Sequence, residues 1–384
     1  MPRKISVRGE NMNRRFFGIG LIGAFALAIG ASPTVARGAA KAAQESVSPA
    51  PCDRACLNGF VDQYLDALVA HDPSRLTVAP FVKYTENGQK LALGDGFWRS
   101  AAKRGTYKFY VDDTDAEQVG FEGTMYEAGR GDTSDLVLMA LRLKIFGRKI
   151  SEVETIIARG QMAQGGAGNL EKMGQPRQAF LEDVPASERV SRIELINTAN
   201  KYFSGMQQDD GKHDYSYFAD DCNRLENGAQ TTNVRTPPSG TPPTGGTTAS
   251  GEPRPPLSTK YDAAQHPTMY SAGWSCRDQF QSGLLHFVTR IRDRRYPIVD
   301  RERGIVWAFT FFDHEAGNTR NYETPTGEKV TGGPTTPWTW EIAEIFKVYG
   351  GQLHQIEAVL TQSPYGMGSG WSDWETSMSD QPQY

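Results

Sequence analysis

Two stretches of this chain carry the same short motifs in the same order, and this repeat constrains the fold more than any other feature. In the first half the motifs are a predicted helix at Leu57–Ala70, then His71-Asp72-Pro73-Ser74, then Glu86-Asn87-Gly88. In the second half they are a predicted helix at Ile193–Met206, then His213-Asp214-Tyr215-Ser216, then Glu226-Asn227-Gly228. An internal repeat indicates that one structural unit occurs more than once. The sequence therefore predicts two domains that are built alike.

Each set of motifs is followed by predicted strands, which are rich in apolar and aromatic residues. The strands of the first half are Tyr107–Val111, Val119–Ala128, Leu136–Ile145 and Lys149–Ile157. Those of the second half are Tyr296–Asp300, Ile305–Asp313, Trp340–Val348 and Gln352–Leu360, after a helix predicted over Arg277–Arg292. Helices followed by a strand meander, twice over, indicate the α+β class, with two tandem curved antiparallel sheets that are each wrapped on helices.

Composition divides the chain into segments. These are an export signal at 1–40, a first domain at 51–160, a linker at 161–188, a second domain at 189–363 and a tail at 364–384. The linker is rich in Gly, Gln and Pro. A low-complexity insertion at 236–256 interrupts the second domain, and its Pro, Gly and Thr content predicts an exposed loop.

The amino end has the pattern of a cleavable signal peptide. Arg14-Arg15-Phe16-Phe17 precedes a short apolar stretch, Gly18–Ala31, and the small-residue region Ala36–Ala40. The apolar stretch is shorter than the ~20 residues that a membrane-spanning helix needs. The adjacent arginines are typical of the twin-arginine signal, so the twin-arginine export machinery is the expected partner during targeting; an ordinary secretory signal is the alternative. We expect a periplasmic or secreted protein after signal cleavage.

Charge and cysteine usage agree with export. The chain has a formal net charge of −4, although its first forty residues are basic. An acidic mature chain without a basic run is not expected to bind nucleic acid or anionic lipid.

The four cysteines, Cys52, Cys56, Cys222 and Cys276, are expected to form disulfides in an oxidising compartment. Three connectivities are possible. Cys52–Cys56 with Cys222–Cys276 is favoured because each pair then lies within one domain. A zinc site is the competing interpretation, but the spacing lacks a Cys-x-x-Cys pair and neighbouring histidines. We therefore expect no metal.

The motifs support a resemblance to a known superfamily. Their order resembles the nuclear transport factor 2-like superfamily, which includes SnoaL-like and ketosteroid isomerase-like proteins with a cone-shaped sheet. More narrowly, Cys56, Phe60, Tyr64, Tyr84–Gly88 and Leu93–Gly96 resemble a family of exported proteins classed as a domain of unknown function. The resemblance implies two cones packed as a pseudo-dimer, in a monomer or a homodimer, each with an apolar cavity that works without a cofactor.

Acids on strands are the first candidates for catalysis. Glu154 and Glu357 occupy the same place in the two repeats. Strand alternation predicts that Glu154 shares a face with Ile150 and Ile156, and that Glu357 shares one with Leu353 and Val359. A carboxylate on an apolar face is a candidate pocket base. The alternative is a structural Glu that pairs with an Arg or faces a subunit contact.

Further candidates come from the motifs and from the aromatic residues of the second half. Candidate catalytic residues are Tyr84 and His286, and candidate substrate-binding residues are Arg224, Trp307, Glu86, Asn87, Glu226 and Asn227. For both Glu-Asn-Gly motifs the alternative is a hairpin turn, because Asn-Gly is a preferred two-residue turn. For His286 the alternative is a surface position.

The histidines His71 and His213 each precede an aspartate, so a general base oriented by that aspartate is one interpretation. Capping by Asp72 or Asp214 is favoured, since Asp72 is followed directly by a proline.

These features predict a cofactor-independent lyase or isomerase that acts on a small apolar, aromatic molecule by proton transfer and elimination. A distant similarity to cone-fold lyases suggests formaldehyde-releasing cleavage of lignin-derived aromatic dimers. The alternatives are a non-enzymatic small-molecule-binding protein and a structural protein of the cell envelope.

Overall fold

The first domain is a six-stranded sheet with one long helix. The helix is α1 (Arg54–Val69), and the strands are β1 (Val78–Glu86), β2 (Gln89–Lys90), β3 (Ala101–Asp113), β4 (Gln118–Ala128), β5 (Ser134–Phe146) and β6 (Lys149–Ala158). Short 3₁₀ helices lie at Pro73–Arg75 and Gly96–Arg99. The strand order is β2-β1-β6-β5-β4-β3.

The segment between the domains is helical. It contains α2 (Gln161–Gln164), α3 (Ala167–Met173), α4 (Gln178–Leu181) and a 3₁₀ turn at Ala186–Glu188. Ala163, Leu170 and Phe180 are buried and pack with residues from both sheets. The segment predicted as a linker therefore contributes to the core.

The second domain repeats the first with additions. Its elements are α5 (Arg192–Met206), β7 (Phe218–Glu226), β8 (Ala229–Gln230), α6 (Cys276–Gln281), a 3₁₀ turn at Leu284–Phe287, β9 (Arg290–Asp300), β10 (Ile305–His314), β11 (Tyr322–Glu323), β12 (Lys329–Val330), β13 (Trp338–Tyr349), β14 (Gln352–Ser363), α7 (Trp374–Ser377) and β15 (Pro382–Gln383). The sheet order is β15-β9-β10-β13-β14-β7-β8, and β11 pairs with β12 separately.

This computed structural model describes residues 50–129, 131, 133–234, 272, 274–317, 322–323, 329–330 and 336–384. The predicted export signal at 1–40 and the insertion at 236–256 lie outside the described residues. The described residues form one compact unit. None of the described helices is long and apolar enough to cross a membrane.

Both sheets have the same strand order, with β1 and β2 of the first matching β7 and β8 of the second. The Asn-Gly motifs fix this correspondence. Asn87 exchanges two hydrogen bonds with the backbone of Ile157, at 2.7 and 3.2 Å. Asn227 does the same with Leu360, at 2.9 Å each. The structure therefore contains one cone-shaped α+β unit twice.

Each sheet contains a parallel pair of long strands, in contrast to the all-antiparallel sheets that the sequence predicts, and the short strand β15 also runs parallel to β9. β1 runs parallel to β6, and β7 runs parallel to β14. A parallel pair needs a long crossover connection. The rest of each sheet provides this crossover, which single-strand patterns do not reveal.

The two long helices begin as their sequences predict. Asp53 caps α1 by accepting a hydrogen bond from the backbone N–H of Cys56. Ser191 and Glu194 form a reciprocal capping box at the start of α5. Each helix buries an apolar stripe on one face of its sheet.

The opposite faces of the two sheets pack against each other as a pseudo-dimer. Tyr107 and Phe109 of the first sheet lie in one buried cluster with Trp307, Phe309 and Val359 of the second. A Cβ atom built on Gly120 would lie 1.9 Å from the Trp307 ring. Only glycine at position 120 lets the two sheets approach this closely.

A one-residue shift in register decides which residues face the partner sheet. The shift lies between Leu353 and Gln355 in the pairing of β14 with β13. As a result, Glu357 shares its face with Val359, whereas Leu353 belongs to the cluster under α5. The predicted grouping of Glu357 with Leu353 was wrong because strict alternation ignores such a bulge.

The first sheet contains the equivalent shift, between Lys144 and Ile145 in the pairing of β5 with β6. Ile150 therefore packs under α1, while Ile156 packs between the sheets. The predicted grouping of Glu154 with Ile150 was wrong for the same reason.

The helix predicted over 277–292 was also wrong. α6 ends at Gln281, and the strand β9 already begins at Arg290. Gly283 has a φ of +68°, which terminates the helix. The apolar residues of 277–292 have helical spacing, but this segment contains the end of α6, a 3₁₀ turn and the start of β9 in succession.

The disulfide prediction is confirmed. Cys52 bonds Cys56, and Cys222 bonds Cys276. The second bridge joins β7 to the start of α6. It therefore fixes α6 against the sheet at the edge of the second domain.

The tail crosses from the second domain to the first. The indole Nε1 of Trp371 donates to Thr85 Oγ1 at 2.9 Å, and Lys83 Nζ lies 4.0 Å from the centre of the ring. In contrast, Trp374 is exposed. Of the two tail tryptophans, Trp371 alone docks on the first domain, as the contacts of the described residues show.

We expect Gly120→Ala to lower the free energy of unfolding by about 1–3 kcal/mol, because the added methyl group overpacks the contact with Trp307. Gly168→Ala is the matched control. Its Cβ would meet no atom within 4 Å, and it lies inside α3. Alanine is favoured over glycine in a helix by about 0.5–1 kcal/mol. Urea unfolding of both variants measures the difference, and equal effects would contradict this account of the interface.

Candidate active site

A cavity of about 260 Å³ lies between α5 and the sheet of the second domain. Its walls come from the helix, from β7, β10, β13 and β14, and from the segment that follows α6. The lining residues are Tyr202, Met206, Arg224, Glu226, Leu285, Phe287, Val288, Phe312, Trp340, Ile342, Glu344, Ala358 and Leu360. Most of this surface is apolar, and the polar groups come from four residues only.

Strand alternation selects which side chains reach the cavity. On β13, Trp340, Ile342 and Glu344 line it, while Ala343 and Ile345 face the first domain. On β7, Arg224 and Glu226 line the cavity, while Leu225 between them packs against the first domain.

Glu344 is the acid of the cavity. It is 2 % exposed, and its Oε2 atom has no hydrogen-bond partner in the described part of the chain. Burial and the nearby Glu226 carboxylate raise the pKa of Glu344 to about 8, against the lowering effects of Arg224 and the Tyr202 hydroxyl. A carboxyl group in such surroundings is protonated at neutral pH and can donate a hydrogen bond or a proton.

Arg224 organises the polar end of the cavity. Its Nε atom lies 3.0 Å from Glu226 Oε1, and its Nη1 donates to the Tyr202 hydroxyl at 3.2 Å. Its Nη2 donates to Gln279 Oε1 of α6 at 2.7 Å. Since Arg224 is fully buried, these bonds fix the positions of Glu226 and Tyr202.

Aromatic rings form the opposite wall. Trp340 lines the cavity and stands edge-on to Trp338, with 4.7 Å between ring centroids. Trp338 in turn stacks on His314 at 3.7 Å. This packing holds Trp340 as a rigid apolar surface facing the polar end.

The same positions in the first domain lack this chemistry. The strand pairings place Leu141 where the second domain has Glu344, and Tyr84 where it has Arg224. Tyr64, Phe97 and Trp98 are fully buried in the core of the first domain. The interior of the first cone is thus occupied by its own aromatic side chains.

Tyr84 and Glu86 are joined to each other within that core. The Tyr84 hydroxyl donates to Glu86 Oε2 at 2.9 Å. The same carboxylate accepts the backbone N–H of Phe97 at 2.6 Å and pairs with Arg159 at 3.1 Å. These bonds describe a structural network.

Glu154 lies between the domains. It forms ion pairs with Arg142 at 2.8 Å and with Arg295 of the second sheet at 2.6 Å. Burial disfavours its charged form, but Arg295 and Arg142 outweigh burial and lower the pKa of Glu154.

Glu357 and Trp307 are also on the face that meets the first domain, and neither lines the cavity. His286 lies in the 3₁₀ turn between two lining residues, and its Nδ1 atom is 2.9 Å from the backbone oxygen of Asp209. Of the ten residues proposed from sequence for catalysis or binding, the cavity brings together Arg224 and Glu226.

The remaining motif residues form turns and caps. Asn87 and Asn227 both have a φ of +46°, and each is the first residue of a two-residue hairpin turn. Asp72 caps the 3₁₀ helix that begins at Pro73, and Asp214 accepts the backbone N–H of Ser216 at 2.9 Å. Capping, the favoured interpretation of these aspartates, is confirmed for Asp72, whereas Asp214 forms a local turn that leads into β7.

Sequence reasoning missed Glu344, Tyr202 and Trp340. The alternation of Trp340, Ile342 and Glu344 was a usable signal, since it puts an acid on an apolar face. The neighbouring Glu341 gives the opposite face an acid as well, so the alternation does not say which one borders a cavity.

Residues 188–360 match the family model described as "Domain of unknown function (DUF8021)". The matched segment contains all of the described residues that line the cavity. A search of the curated proteins found no match.

Solved structures with partial similarity include a protein of unknown function with a cystatin-like fold from Methylobium petroleophilum. Its identity is 14%, its TM-score is 0.23, and the match covers 29% of this chain and 81% of that one. Another is AclR from Streptomyces galilaeus, described as "a putative hydroxylase", with 12% identity, a TM-score of 0.24 and coverage of 35% and 92%. With TM-scores this low, neither protein informs the function of this chain.

The raised pKa of Glu344 predicts how stability depends on pH. Between about pH 5 and pH 8 the folded protein holds a proton on Glu344 that the unfolded chain releases, so stability falls as the pH rises through this window. Glu344→Gln removes that dependence. Its stability relative to wild type should rise by up to about 1.4 kcal/mol per pH unit across the window.

Glu154→Gln is the contrasting variant, because it leaves Arg142 and Arg295 without their carboxylate. It should be less stable than wild type at neutral pH, and the deficit should shrink as acid protonates the wild-type Glu154. Urea unfolding at several pH values measures both trends. A Glu344→Gln difference that is flat with pH would contradict the account of the cavity acid.

Proposed function

We propose that the second-domain cavity binds a small, largely apolar molecule and that the protein acts on it as a lyase or isomerase by acid–base chemistry. The observation that carries the proposal is Glu344, a buried acid with an unpartnered oxygen in an apolar cavity. Burying such a group without a bonding partner costs about 1–3 kcal/mol. A ligand that accepts its hydrogen bond removes that cost.

The two acids of the cavity suit opposite roles. Glu344, protonated at neutral pH, donates to an oxygen atom of the ligand. Glu226 forms an ion pair with Arg224 and is placed to accept a proton from the ligand. One proton is taken and one is given, so the reaction needs no redox partner.

Arg224 and Tyr202 are positioning residues in this scheme. Arg224 orients Glu226 and the Tyr202 hydroxyl. A hydrogen bond from that hydroxyl lowers the pKa of Glu344. The loss of either one is expected to affect the rate by misplacing the acids, because small displacements of catalytic groups are costly.

The cavity indicates the size of the ligand. An engineered cavity of about 150 Å³ in another protein holds benzene. A space of about 260 Å³ therefore has room for one substituted ring or two fused rings. The aromatic wall at Trp340, Phe287 and Phe312 suits a flat ligand, since aromatic rings pair favourably edge-to-face or offset.

The most specific version is the formaldehyde-releasing cleavage that the sequence resemblance suggests. Glu226 would take the proton of a primary hydroxyl, and the adjacent carbon–carbon bond would break to release formaldehyde. The electron pair of that bond would form a carbon–carbon double bond to the next carbon, whose carbon–oxygen bond would break, and Glu344 would protonate the leaving oxygen. An aromatic dimer would place one ring in the cavity and leave the other at its mouth.

The test is turnover by the purified mature protein. We expect loss of formaldehyde, loss of water or isomerisation when it is incubated with aromatic dimers and with hydroxylated or carbonyl-bearing single-ring compounds, read by mass spectrometry with a formaldehyde trap. Glu344→Gln should lower kcat by about 10²-fold or more, the usual contribution of a positioned acid.

Glu341→Gln is the matched control. Glu341 is on the same strand, is buried to a similar degree and has its pKa raised to about 8 by burial, but it does not line the cavity. It should leave kcat within about twofold of wild type, because surface and remote substitutions rarely reach the reacting groups. Ligands that raise the melting temperature but are not converted would favour the binding protein. If Glu344→Gln retained full turnover, the assignment of the acid would be wrong.

A further inference from the structure

A pair of carboxyl groups lies between the two domains, apart from the cavity. Glu122 on β4 and Glu357 on β14 are both 0 % exposed. Their side chains, one from each sheet, lie within hydrogen-bonding reach of each other. The Tyr107 hydroxyl of β3 donates to Glu357 Oε1 at 2.5 Å.

The strands beside this pair are apolar where they meet it. Phe109 and Ala140 flank Glu122 in the first sheet, and Leu225 and Ile345 flank Glu357 in the second. All four belong to the buried cluster between the sheets.

The charged and titratable groups that act on the pair are Tyr107 and Arg177. Arg177, which precedes α4, directs its guanidinium to Gln355 Oε1 and Gln230 Oε1, both at 3.0 Å. It therefore lowers the pKa of Glu357 only through space. No cation forms an ion pair with either carboxyl group within the described residues.

The bonding of the pair requires a proton. Neither oxygen of Glu122, and not Oε2 of Glu357, has a protein donor among the residues that the structure describes. Two carboxylates repel each other, whereas a carboxylic acid donates to a carboxylate. One proton held between the two groups supplies the missing donor.

We propose that Glu122 and Glu357 form a proton-dependent lock between the two domains, in which one shared proton bonds the sheets and its loss as the pH rises loosens their packing. The lock is independent of the activity proposed for the cavity. Since the protein is expected outside the cytoplasm, the strength of the lock would vary with the pH of the surrounding medium.

The direction of the pH dependence follows from burial. Burial and the neighbouring carboxylate raise the pKa of Glu122 well above its usual range, and burial also raises the pKa of Glu357. The packed domains hold a proton that separated domains release to water above the usual carboxyl pKa. The interface is therefore strongest at low pH and weakens as the pH rises through the pKa of the packed pair.

Hydrogen exchange of the β4 and β14 amides tests the lock. Protection factors, corrected for intrinsic exchange, are measured on the full mature chain from about pH 6 to about pH 10. For an opening that releases one proton, protection should fall about tenfold per pH unit over part of this range. Glu122→Gln should remove the fall, because its amide donates to Glu357 without a proton that titrates.

Two further variants separate the lock from general effects. Tyr107→Phe should move the fall to higher pH, since the lost hydroxyl no longer stabilises the ionised Glu357. Glu344→Gln makes the same change in the cavity and should leave the fall in β4 and β14 as in wild type. If Glu122→Gln does not fold, Glu357→Gln supplies the same amide from the other sheet. Wild-type protection that is constant with pH, or an equal fall in wild type and Glu122→Gln, would overturn the proposal.

Discussion

The packing of one sheet face against another is the constraint on which the rest of this structure depends. Each strand has two faces, and here both are used, one under a helix and one against the other domain. Whether a strand residue packs under a helix or against the other domain therefore depends on whether its position along the strand is odd or even. Ser151 and His354 are the extra residues at the two register shifts. They determine which face Glu154 and Glu357 occupy on their strands.

The buried acids of this interface are compensated in two different ways. Glu154 is paired with two arginines, one from each sheet, so its charge is compensated. Glu122 and Glu357 meet without a cation, so a proton must compensate them. Buried ionic pairs stabilise weakly compared with apolar packing but are costly to break. Both arrangements thus disfavour other relative placements of the sheets more than they add to overall stability.

The repeat has diverged in its interior rather than in its framework. The asparagine clamps, the strand order and the register shifts occur in both domains. Inside, the first cone is filled by tyrosine, tryptophan and leucine, while the second keeps a cavity with Arg224 and Glu344. Filling a cavity adds dispersion contacts and removes a binding site. The first domain is therefore suited to a structural role, and the second to binding or catalysis.

The sequence by itself determined the elements and their duplication. Apolar spacing located the two long helices and six of the eight long meander strands almost to their ends, whereas β3 and β9 begin six residues before their predicted starts. The paired motifs showed that one unit occurs twice. It also gave the disulfide pairs, because cysteines close in the chain or within one repeat have few partners. Only the tertiary structure decided which face of each strand borders a cavity. A one-residue bulge reverses that assignment without changing the apolar pattern. Glu357 therefore faces the first domain, while Glu344 on the neighbouring strand lines the cavity.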